Sequence, residues 1–148
     1  MHSFNSCLMH YVFATKERVP AINVELQNRL WPYLGGIARE NKMKALAIGG
    51  VRDHVHMLLS LPSSITTAKA IQLIKGNSSK WIHDTFPDHR GFGWQEGYGS
   101  FSIGVSGVND TVAYIRNQAE HHRVKTFKEE LIDFLKKHGM DFDDSMLE

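Results

Sequence analysis

The sequence predicts an α+β domain with the ferredoxin-like split βαβ order, βαββαβ. Three observations lead to this prediction. Strand-like segments alternate with amphipathic helical segments, two strand-like segments follow one another through a glycine turn, and helical spacing resumes after the fourth strand. We therefore expect one antiparallel sheet with helices on one face, and a C-terminal helical extension that carries Tyr114.

The first strand and helix open this pattern. Residues 7–15 are apolar on both faces, which is typical of a central strand. Asn23 is expected to cap the following helix. Pro32 predicts a kink within it, because proline cannot donate to the carbonyl four residues before it. The apolar stripe of this helix is formed by Leu26, Leu30, Leu34 and Ile37.

The next two strands are predicted to form an antiparallel hairpin. Residues 44–50 end in two glycines, and the strand that begins at His54 follows after a short connection. Because alternate side chains of a strand face opposite ways, His54 and His56 share one face, with Cα atoms roughly 7 Å apart at about 3.3 Å per residue. The opposite face is apolar and consists of Val55, Met57, Leu59 and Leu61.

A second helix, a loop and a fourth strand complete the βαββαβ order. Ser64 is expected to cap the helix, and a loop rich in glycine and aromatic residues follows over 86–99. The fourth strand is predicted at about residues 98–104. The apolar stripe of the second helix is formed by Ala68, Ile71, Ile74, Trp81 and Ile82.

Two further helices are predicted after the fourth strand. The first spans 106–123, and its apolar stripe includes Ala119 and His122. The second opens with a capping box formed by Thr126 and Glu129 and ends before Gly139. The buried residues expected in that last helix are Phe127, Leu131, Phe134 and Leu135.

Composition and length favour a single cytoplasmic domain. The chain has 148 residues, of which 42% are hydrophobic and 22% are charged, as in ordinary globular proteins. Its one cysteine cannot form an intrachain disulfide, and we find no signal-peptide pattern. No apolar stretch approaches the ~20 residues that span a bilayer. We therefore expect a cytoplasmic location and no membrane partner.

Charge divides the chain into a mildly basic body and an acidic tail. The net charge is +1, but all 17 Lys and Arg residues precede Gly139, and four of the 16 acidic residues follow it. We predict one domain over 1–139 and a flexible acidic tail over 140–148. The basic body permits a phosphate-rich partner without requiring one.

Two groups of residues predict chemistry. His54 and His56 on one strand face are typical of part of a metal site, although buried, hydrogen-bonded histidines give the same pattern. On the 106–123 helix, Tyr114, Gln118 and His121 form a polar stripe at i, i+4 and i+7. A divalent cation held by both histidines and the Gln118 carbonyl could polarise a phosphodiester for attack by a phenol. Such mixed ligands admit Mg²⁺ or Mn²⁺ and do not exclude Zn²⁺.

Four segments carry a resemblance to a known family. They are 48–59, which contains the two histidines, 75–81, 94–99 and 114–122. In this order they resemble the single-tyrosine HUH transposases of small bacterial insertion sequences (TnpA type, IS200-like), over about residues 10–134. One departure is Arg52, where family members often have proline. It is expected to change the hairpin turn but not the ligands.

The resemblance implies a DNA transposase that acts on single-stranded DNA beside hairpins at the ends of its element. Tyr114 matches the nucleophile, which would form a 5′-phosphotyrosine link and release a 3′-OH before strand transfer. His54, His56 and Gln118 match the ligands of a divalent metal, Mg²⁺ or Mn²⁺. The resemblance also implies a homodimer, in which one subunit's histidines can pair with the other subunit's tyrosine helix.

Basic and aromatic residues are predicted to contact the DNA. Phe92, Trp94 and Tyr98 could stack on unpaired bases, at roughly 1–3 kcal/mol per base, or the loop could instead fold over the core. Tyr98 is also the rival candidate for the nucleophile. The cations expected at phosphates, each of which could equally be solvated, are Lys16, Arg18, Lys75, Lys80, Arg90 and Arg116.

Two other functions stay open on the sequence. An inactive or domesticated relative would bind hairpin DNA without turnover. A zinc hydrolase would act on a small molecule without a covalent intermediate. The complete set of two histidines, a tyrosine and a glutamine favours the transposase. Among the remaining histidines, His121 is expected near the site or the DNA, and His122 is expected to be structural.

Overall fold

The computed structural model describes residues 1–147, which contain one four-stranded sheet. Its strands and helices are β1 (Leu8–Ala14), α1 (Val24–Glu40), β2 (Lys44–Gly50), β3 (His54–Ser60), α2 (Thr67–Thr85), β4 (Gly99–Ile103), α3 (Val108–Arg116), α4 (Gln118–His121) and α5 (Phe127–Lys137). The strands lie in the order β2-β3-β1-β4, and every neighbouring pair is antiparallel. This confirms the ferredoxin-like βαββαβ prediction.

The main hydrophobic core lies between one face of the sheet and helices α1 and α2. β1 contributes Tyr11 and Phe13 to it, and β3 contributes Val55, Met57 and Leu59, all at most 1% exposed. The apolar face predicted for β3 is therefore confirmed. The side chains of this face pack in the core, and the histidines of β3 lie on the opposite face of the strand.

Side-chain caps set the beginnings of α1 and α2. Asn23 caps α1 as predicted, since its Oδ1 accepts a hydrogen bond from the Leu26 amide at 2.8 Å. The predicted cap of α2, Ser64, is wrong, because the helix begins later in the chain. There Thr66 Oγ1 accepts from the Lys69 amide at 3.0 Å.

One residue of the apolar stripe predicted for α2 is misplaced. In α2 the predicted Ala68 is exposed, whereas Ala70 is buried and packs in the same core as Ile71 and Ile74.

α1 is helical on both sides of Pro32, which is exposed. The kink predicted at Pro32 stays a prediction.

Helices α3, α4 and α5 cover the opposite face of the sheet. A smaller apolar cluster of Ala47, Leu58 and Ile115 joins α3 to β2 and β3. At Gly49 the two backbones approach so closely that a Cβ would lie 2.1 Å from the Ile115 carbonyl oxygen. Since only glycine lacks this atom, Gly49 lets α3 lie directly on β2.

The helix predicted over 106–123 is interrupted, which corrects that prediction. α3 ends at Arg116, Asn117 has φ −104° and ψ 27°, and the short α4 begins at Gln118. The interruption turns the Gln118 side chain inward, where the residue is 1% exposed. Ala119 is exposed, although an unbroken helix would bury it. At the interruption the Gln118 amide oxygen lies in a buried contact with His54, and the helix is not continuous.

The last helix begins as predicted, and the residues after it pack against the rest of the domain. Thr126 and Glu129 form the expected capping box at the start of α5. A 3₁₀ turn spans Asp144–Leu147, Leu147 is buried, and its carbonyl accepts a hydrogen bond from Arg18. Glu148, the last residue of the predicted flexible tail, lies outside the described residues, and flexibility of that tail stays a prediction.

No helix in the described part of the chain combines the length and the apolar character needed to cross a membrane.

Candidate metal and nucleophile site

β3 places two imidazoles on the sheet face that α3, α4 and α5 cover. His54 and His56 are both fully buried, and their ring centroids lie 5.2 Å apart. They occupy alternate positions of the strand, so both side chains point to the same side. The shared face predicted from the sequence is therefore present, and it lies inside the protein.

Each of these imidazoles is oriented by a partner at its Nδ1 atom. His54 Nδ1 lies 2.7 Å from Asp53 Oδ1, and His56 Nδ1 lies 2.8 Å from His10 Nε2. Hydrogen bonds of this kind fix the ring orientation of metal-binding histidines. Both Nε2 atoms are left to face a common point under α5.

Gln118 reaches this point from the beginning of α4. Its Oε1 lies 3.3 Å from His54 Nε2, and its Nε2 donates to the Tyr114 carbonyl at 3.2 Å. The amide oxygen is therefore turned towards the imidazole and away from its own helix. The three residues predicted as metal ligands, His54, His56 and Gln118, meet at one buried location.

Glu130 of α5 occupies the centre of the cluster, and the sequence did not predict it. The residue is 3% exposed, and its Oε1 lies 3.3 Å from His54 Nε2 and 2.9 Å from His56 Nε2. Its Oε2 accepts a hydrogen bond from the Tyr114 hydroxyl. One carboxylate thus contacts both sheet histidines and the candidate nucleophile.

His122 is the fourth residue that faces the common point, and its predicted structural role stays a prediction. Its Nε2 lies 3.2 Å from Glu130 Oε1, and its ring centroid lies 4.3 Å from that of His54. That nitrogen is nevertheless buried without a hydrogen bond among the described residues, because the direction of its contact to Glu130 is unfavourable. A buried ring nitrogen without a hydrogen bond is available to a cation.

Tyr114 lies beside the histidines within the same chain. Its ring centroid is 5.7 Å from that of His56 and 4.4 Å from that of His121. Tyr98, the rival nucleophile, is 44% exposed and lies next to Tyr11, at 6.2 Å between centroids. Tyr114 is therefore the tyrosine that the fold brings to the imidazoles.

Contacts within the cluster determine its charges. Burial raises the pKa of Glu130, but hydrogen bonds with His54 and His56 outweigh burial and hold that pKa far below its ordinary value. Burial lowers the pKa of His54, but hydrogen bonds with Asp53 and Glu130 outweigh it and raise the pKa to about 9. Burial and the neighbouring Glu130 carboxylate both raise the pKa of Tyr114. The phenol therefore keeps its proton at neutral pH.

The donor set fits a divalent transition-metal ion. One ligand atom from each of His54, His56, His122 and Glu130 lies within 4.8 Å of the others. Metal–ligand bonds of about 2.1 Å place neighbouring ligand atoms about 3.0–3.4 Å apart. Glu130 Oε1 comes close to this spacing, since it lies 3.3, 2.9 and 3.2 Å from Nε2 of His54, His56 and His122.

A cavity of about 390 Å³ opens beside this cluster. Tyr114, His10 and Phe134 form part of its wall, and Lys125 and Lys137 lie at its lining. Its volume falls within the range of about 300–1,000 Å³ that is usual for ligand pockets. A substrate group could therefore approach the Tyr114 hydroxyl from this side.

Two residues predicted at the DNA make contacts inside the protein. Lys75 Nζ donates to the carbonyls of Gln95 and Gly97 at 2.6 and 2.9 Å, which holds the loop before β4 on α2. The Trp94 ring packs edge-on against Phe13, at 4.8 Å between centroids. These contacts favour the loop-packing alternative for both residues, and their contact with DNA stays a prediction.

The other predicted DNA contacts are placed at the surface or partly covered. Arg18 is partly buried, with its guanidinium 5.1 Å from the centroid of the Phe127 ring. Phe92, the third aromatic residue of the loop, is 7% exposed and packs in the main core. The exposed cations of the predicted set are Lys16, Lys80, Arg90 and Arg116.

A local signal existed for one of the residues that sequence reasoning missed. Glu130 lies three residues after Phe127 and four before Phe134, so helical spacing places it on the stripe of α5 that was predicted to be buried. In the structure Glu130 is buried, whereas the predicted buried residues are only half-buried, namely Phe127, Leu131, Phe134 and Leu135. An acidic residue on an apolar stripe is a signal for a partnered, functional carboxylate. His10 offered no such signal, because its contact with His56 depends on the pairing of β1 with β3.

Most of the sequence is similar to a known protein family. The family model described as "Transposase IS200 like" matches residues 3–118. The transposase for insertion sequence element IS200 of Salmonella typhimurium (strain LT2) is 28% identical over 131 residues, which cover 83% of this chain and 84% of that protein. The protein of the same name from Salmonella typhi has the same identity and coverage.

Solved structures resemble the fold. A candidate transposase from Deinococcus radiodurans R1 aligns with a TM-score of 0.67 at 24% identity, over 80% of this chain and 95% of that one. A REP-associated tyrosine transposase bound to a REP hairpin aligns with a TM-score of 0.57 at 14% identity, over 78% of this chain and 67% of that one. Both similarities concern the fold.

Proposed function

Because this chain belongs to the family of IS200-like transposases, we propose that it cuts and rejoins single-stranded DNA beside hairpins at the ends of its insertion sequence. Tyr114 is the nucleophile, and His54, His56 and Gln118 bind a divalent metal. The observation that carries this proposal is the meeting of a tyrosine with two buried sheet histidines. The Tyr114 hydroxyl and His56 Nε2 both contact the carboxylate of Glu130.

The reaction is a transesterification that conserves the number of phosphoester bonds. The Tyr114 oxygen forms a bond to the scissile phosphorus, and the bond from phosphorus to the 3′ oxygen breaks. The phenol loses its proton, and the 3′ oxygen gains one to become a 3′-OH. Strand transfer follows when a 3′-OH attacks the 5′-phosphotyrosine and the phenol is regenerated, so no external energy source is required.

The metal is proposed to be Mg²⁺ or Mn²⁺. When bound, it supplies Lewis-acid polarisation of the phosphate that Tyr114 attacks. A ligand set with two or three imidazoles favours Mn²⁺ over Mg²⁺, because Mg²⁺ prefers oxygen ligands. Asp53 and His10 support binding by holding His54 and His56 with Nε2 towards the ion.

The proposed partner is DNA that contains a hairpin and an adjacent single strand. A tyrosine transposase of similar fold is bound to a REP hairpin, which supports a hairpin substrate here. Exposed cations are suited to the phosphates, and the exposed ring of Tyr98 is suited to base stacking. The cations concerned are Lys16, Lys80, Arg90 and Arg116.

A homodimer is part of the proposal, following the family resemblance. The geometry of the described chain also permits each subunit to use its own tyrosine, since Tyr114 and His56 of one chain already lie in contact through Glu130. Dimerisation would then serve to hold two DNA ends together.

The test is covalent adduct formation with a hairpin oligonucleotide that carries a single-stranded extension, followed by denaturing electrophoresis. Wild-type protein with Mn²⁺ should form the adduct, and Tyr114→Phe should not, while both bind the hairpin. A Tyr114→Phe protein that still forms the adduct would transfer the role to Tyr98. Wild-type protein that binds the hairpin and never forms an adduct with Mg²⁺ or Mn²⁺ would be a DNA-binding protein without turnover.

A further inference from the structure

We infer that Glu130 joins the metal to the nucleophile, with Oε1 as a metal ligand and Oε2 as the group that positions the Tyr114 hydroxyl, and that His122 Nε2 is a further ligand. This inference rests on the proposed function, because it assigns residues to the same metal and the same reaction. Glu130 and His122 both follow residues 3–118, the part of the chain that the family model matches.

The position of Oε1 supports its role as a ligand. A carboxylate paired with one histidine would lie beside that ring, whereas Oε1 lies within 3.3 Å of the Nε2 atoms of three histidines, His54, His56 and His122. Three imidazole nitrogens and a carboxylate oxygen, which lie within 4.8 Å of one another, form a donor set typical of a metal site. The distances from the oxygen to the nitrogens, 3.3, 2.9 and 3.2 Å, are close to the roughly 3.0–3.4 Å expected between neighbouring ligands of one ion.

His122 provides an independent observation. Its side chain is 10% exposed, and its buried Nε2 has no hydrogen bond within the described part of the chain. Buried polar atoms without a hydrogen bond are uncommon in folded proteins. Coordination to the ion would satisfy this nitrogen.

The second carboxylate oxygen determines how Tyr114 is presented. The Tyr114 hydroxyl donates its hydrogen to Oε2, so the proton is directed towards α5. The remaining lone pairs of the phenolic oxygen are then free to face a phosphate. Because both oxygens belong to one rigid carboxylate, the nucleophile is held at a fixed separation from the ion.

A purely structural role for Glu130 makes a different prediction. A buried carboxylate among histidines could simply be an ion pair that stabilises the packing of α5. In that case its replacement by glutamine would lower stability without changing the affinity for a metal ion. Metal affinity in the absence of DNA therefore distinguishes the two roles.

The experiment measures Mn²⁺ binding by electron paramagnetic resonance of free Mn²⁺, without DNA, and the rate of adduct formation at saturating Mn²⁺. Glu130→Gln keeps the side-chain shape and should weaken Mn²⁺ binding by roughly 10- to 100-fold. It should also slow adduct formation at saturating Mn²⁺. Glu120→Gln, which makes the same charge change on an exposed residue of α4, should alter neither quantity.

His122→Asn separates the two roles of the carboxylate. It should weaken Mn²⁺ binding, and it should slow adduct formation at saturating Mn²⁺ less than Glu130→Gln does, because the contact between Glu130 and Tyr114 is retained. If Glu130→Gln fails to unfold cooperatively, His122→Asn decides the assignment of His122 on affinity, and Glu130→Asp, which keeps the charge but shortens the reach of the carboxylate, takes the place of Glu130→Gln in both measurements.

Two outcomes would overturn parts of the inference, and a third would contradict the proposed function. Wild-type affinity for Mn²⁺ in Glu130→Gln and His122→Asn would remove both residues from the metal site. An unchanged saturated adduct rate in Glu130→Gln would remove the positioning role. If Glu130→Gln binds Mn²⁺ more weakly but the wild-type protein forms no adduct, the ligand assignment is upheld and the proposed function is contradicted.

Discussion

Asp53 and His10 determine which nitrogen of each sheet histidine faces the candidate metal site. Asp53 Oδ1 lies 2.7 Å from Nδ1 of His54, and His10 Nε2 lies 2.8 Å from Nδ1 of His56, so that both Nε2 atoms of the sheet histidines are directed towards Glu130. Neither partner contacts the site itself in the proposed chemistry. Replacing either one would leave the ligands in place but free their rings to rotate, and rotation lowers metal affinity.

The pH dependence of stability follows from these residues. In the metal-free protein the folded pKa of His54 is about 9, above the unfolded value near 6.5. Its stabilisation, on the order of 3 kcal/mol, is complete below pH 6.5 and is lost as the pH rises through 9. Burial lowers the pKa of His10 to about 3, so stability also falls as the pH decreases from 6.5 towards 3. We expect maximal stability near pH 6.5.

Urea denaturation across this pH range, in the presence of EDTA, measures the effect. His54→Asn should reduce the loss of stability between pH 6.5 and 9, and it should leave the acidic decline largely intact. A wild-type free energy of unfolding that stays constant between pH 6.5 and 9 would contradict the ion pairing of His54.

Residues of the site differed in how far the sequence could predict them. His54 and His56 follow from strand alternation, and Tyr114 and Gln118 from helical spacing supported by the family motifs, because all of these signals are local. Glu130 depends on the packing of α5 over β3, which no local pattern specifies. Its place on an apolar stripe was the one available signal.

At the scale of elements, the position of α3 depends on Gly49, which has no side chain. A Cβ at Gly49 would lie 2.1 Å from the Ile115 carbonyl oxygen, and a backbone atom cannot move without its helix. Gly49→Ala should therefore displace α3, and with it Tyr114, from the sheet histidines. We expect a loss of about 1–3 kcal/mol in stability and a large decrease in adduct formation.

Gly36→Ala in α1 is the matched control. A Cβ at this position would meet nothing within 4 Å. Because alanine favours a helix over glycine, the change should be neutral or stabilise by roughly 0.5–1 kcal/mol. Thermal melting and the adduct assay compare the two variants. Equal behaviour of both variants would show that α3 does not depend on close contact at Gly49.

Element order and element faces were predictable from sequence periodicity, whereas some element limits were not. The sequence predicted one helix over 106–123, but the structure interrupts it at Asn117. Periodicity continues across this residue and gives no signal of the break, which accompanies a tertiary contact of Gln118 with His54. The cap of α2 was misplaced for a simpler reason, since Ser64 and Thr66 are both good caps.

At the scale of the whole molecule, the site is assembled from three distant parts of the chain. β3 supplies two histidines, the α3–α4 segment supplies Tyr114 and Gln118, and α5 supplies Glu130. All three meet within a single chain. We therefore expect each subunit to cleave DNA with its own tyrosine.

Mixing two inactive variants tests this arrangement. Tyr114→Phe retains the histidines, and His56→Asn retains the tyrosine. If each chain uses its own residues, the mixture should form no adduct. Recovery of the adduct on mixing would mean that a tyrosine helix serves the histidines of the partner subunit. Light scattering of both samples, with and without the hairpin, establishes whether dimers are present.

The order of the site residues along the chain has a consequence for the synthesis of the protein. All four strands of the sheet precede Tyr114, and Glu130 follows it. A ribosome therefore completes the sheet before it adds Tyr114, and it adds Tyr114 before Glu130. An emerging chain can fold its core early, but under the proposed mechanism it gains the ability to cut DNA only after α5 has been released and has packed over the histidines.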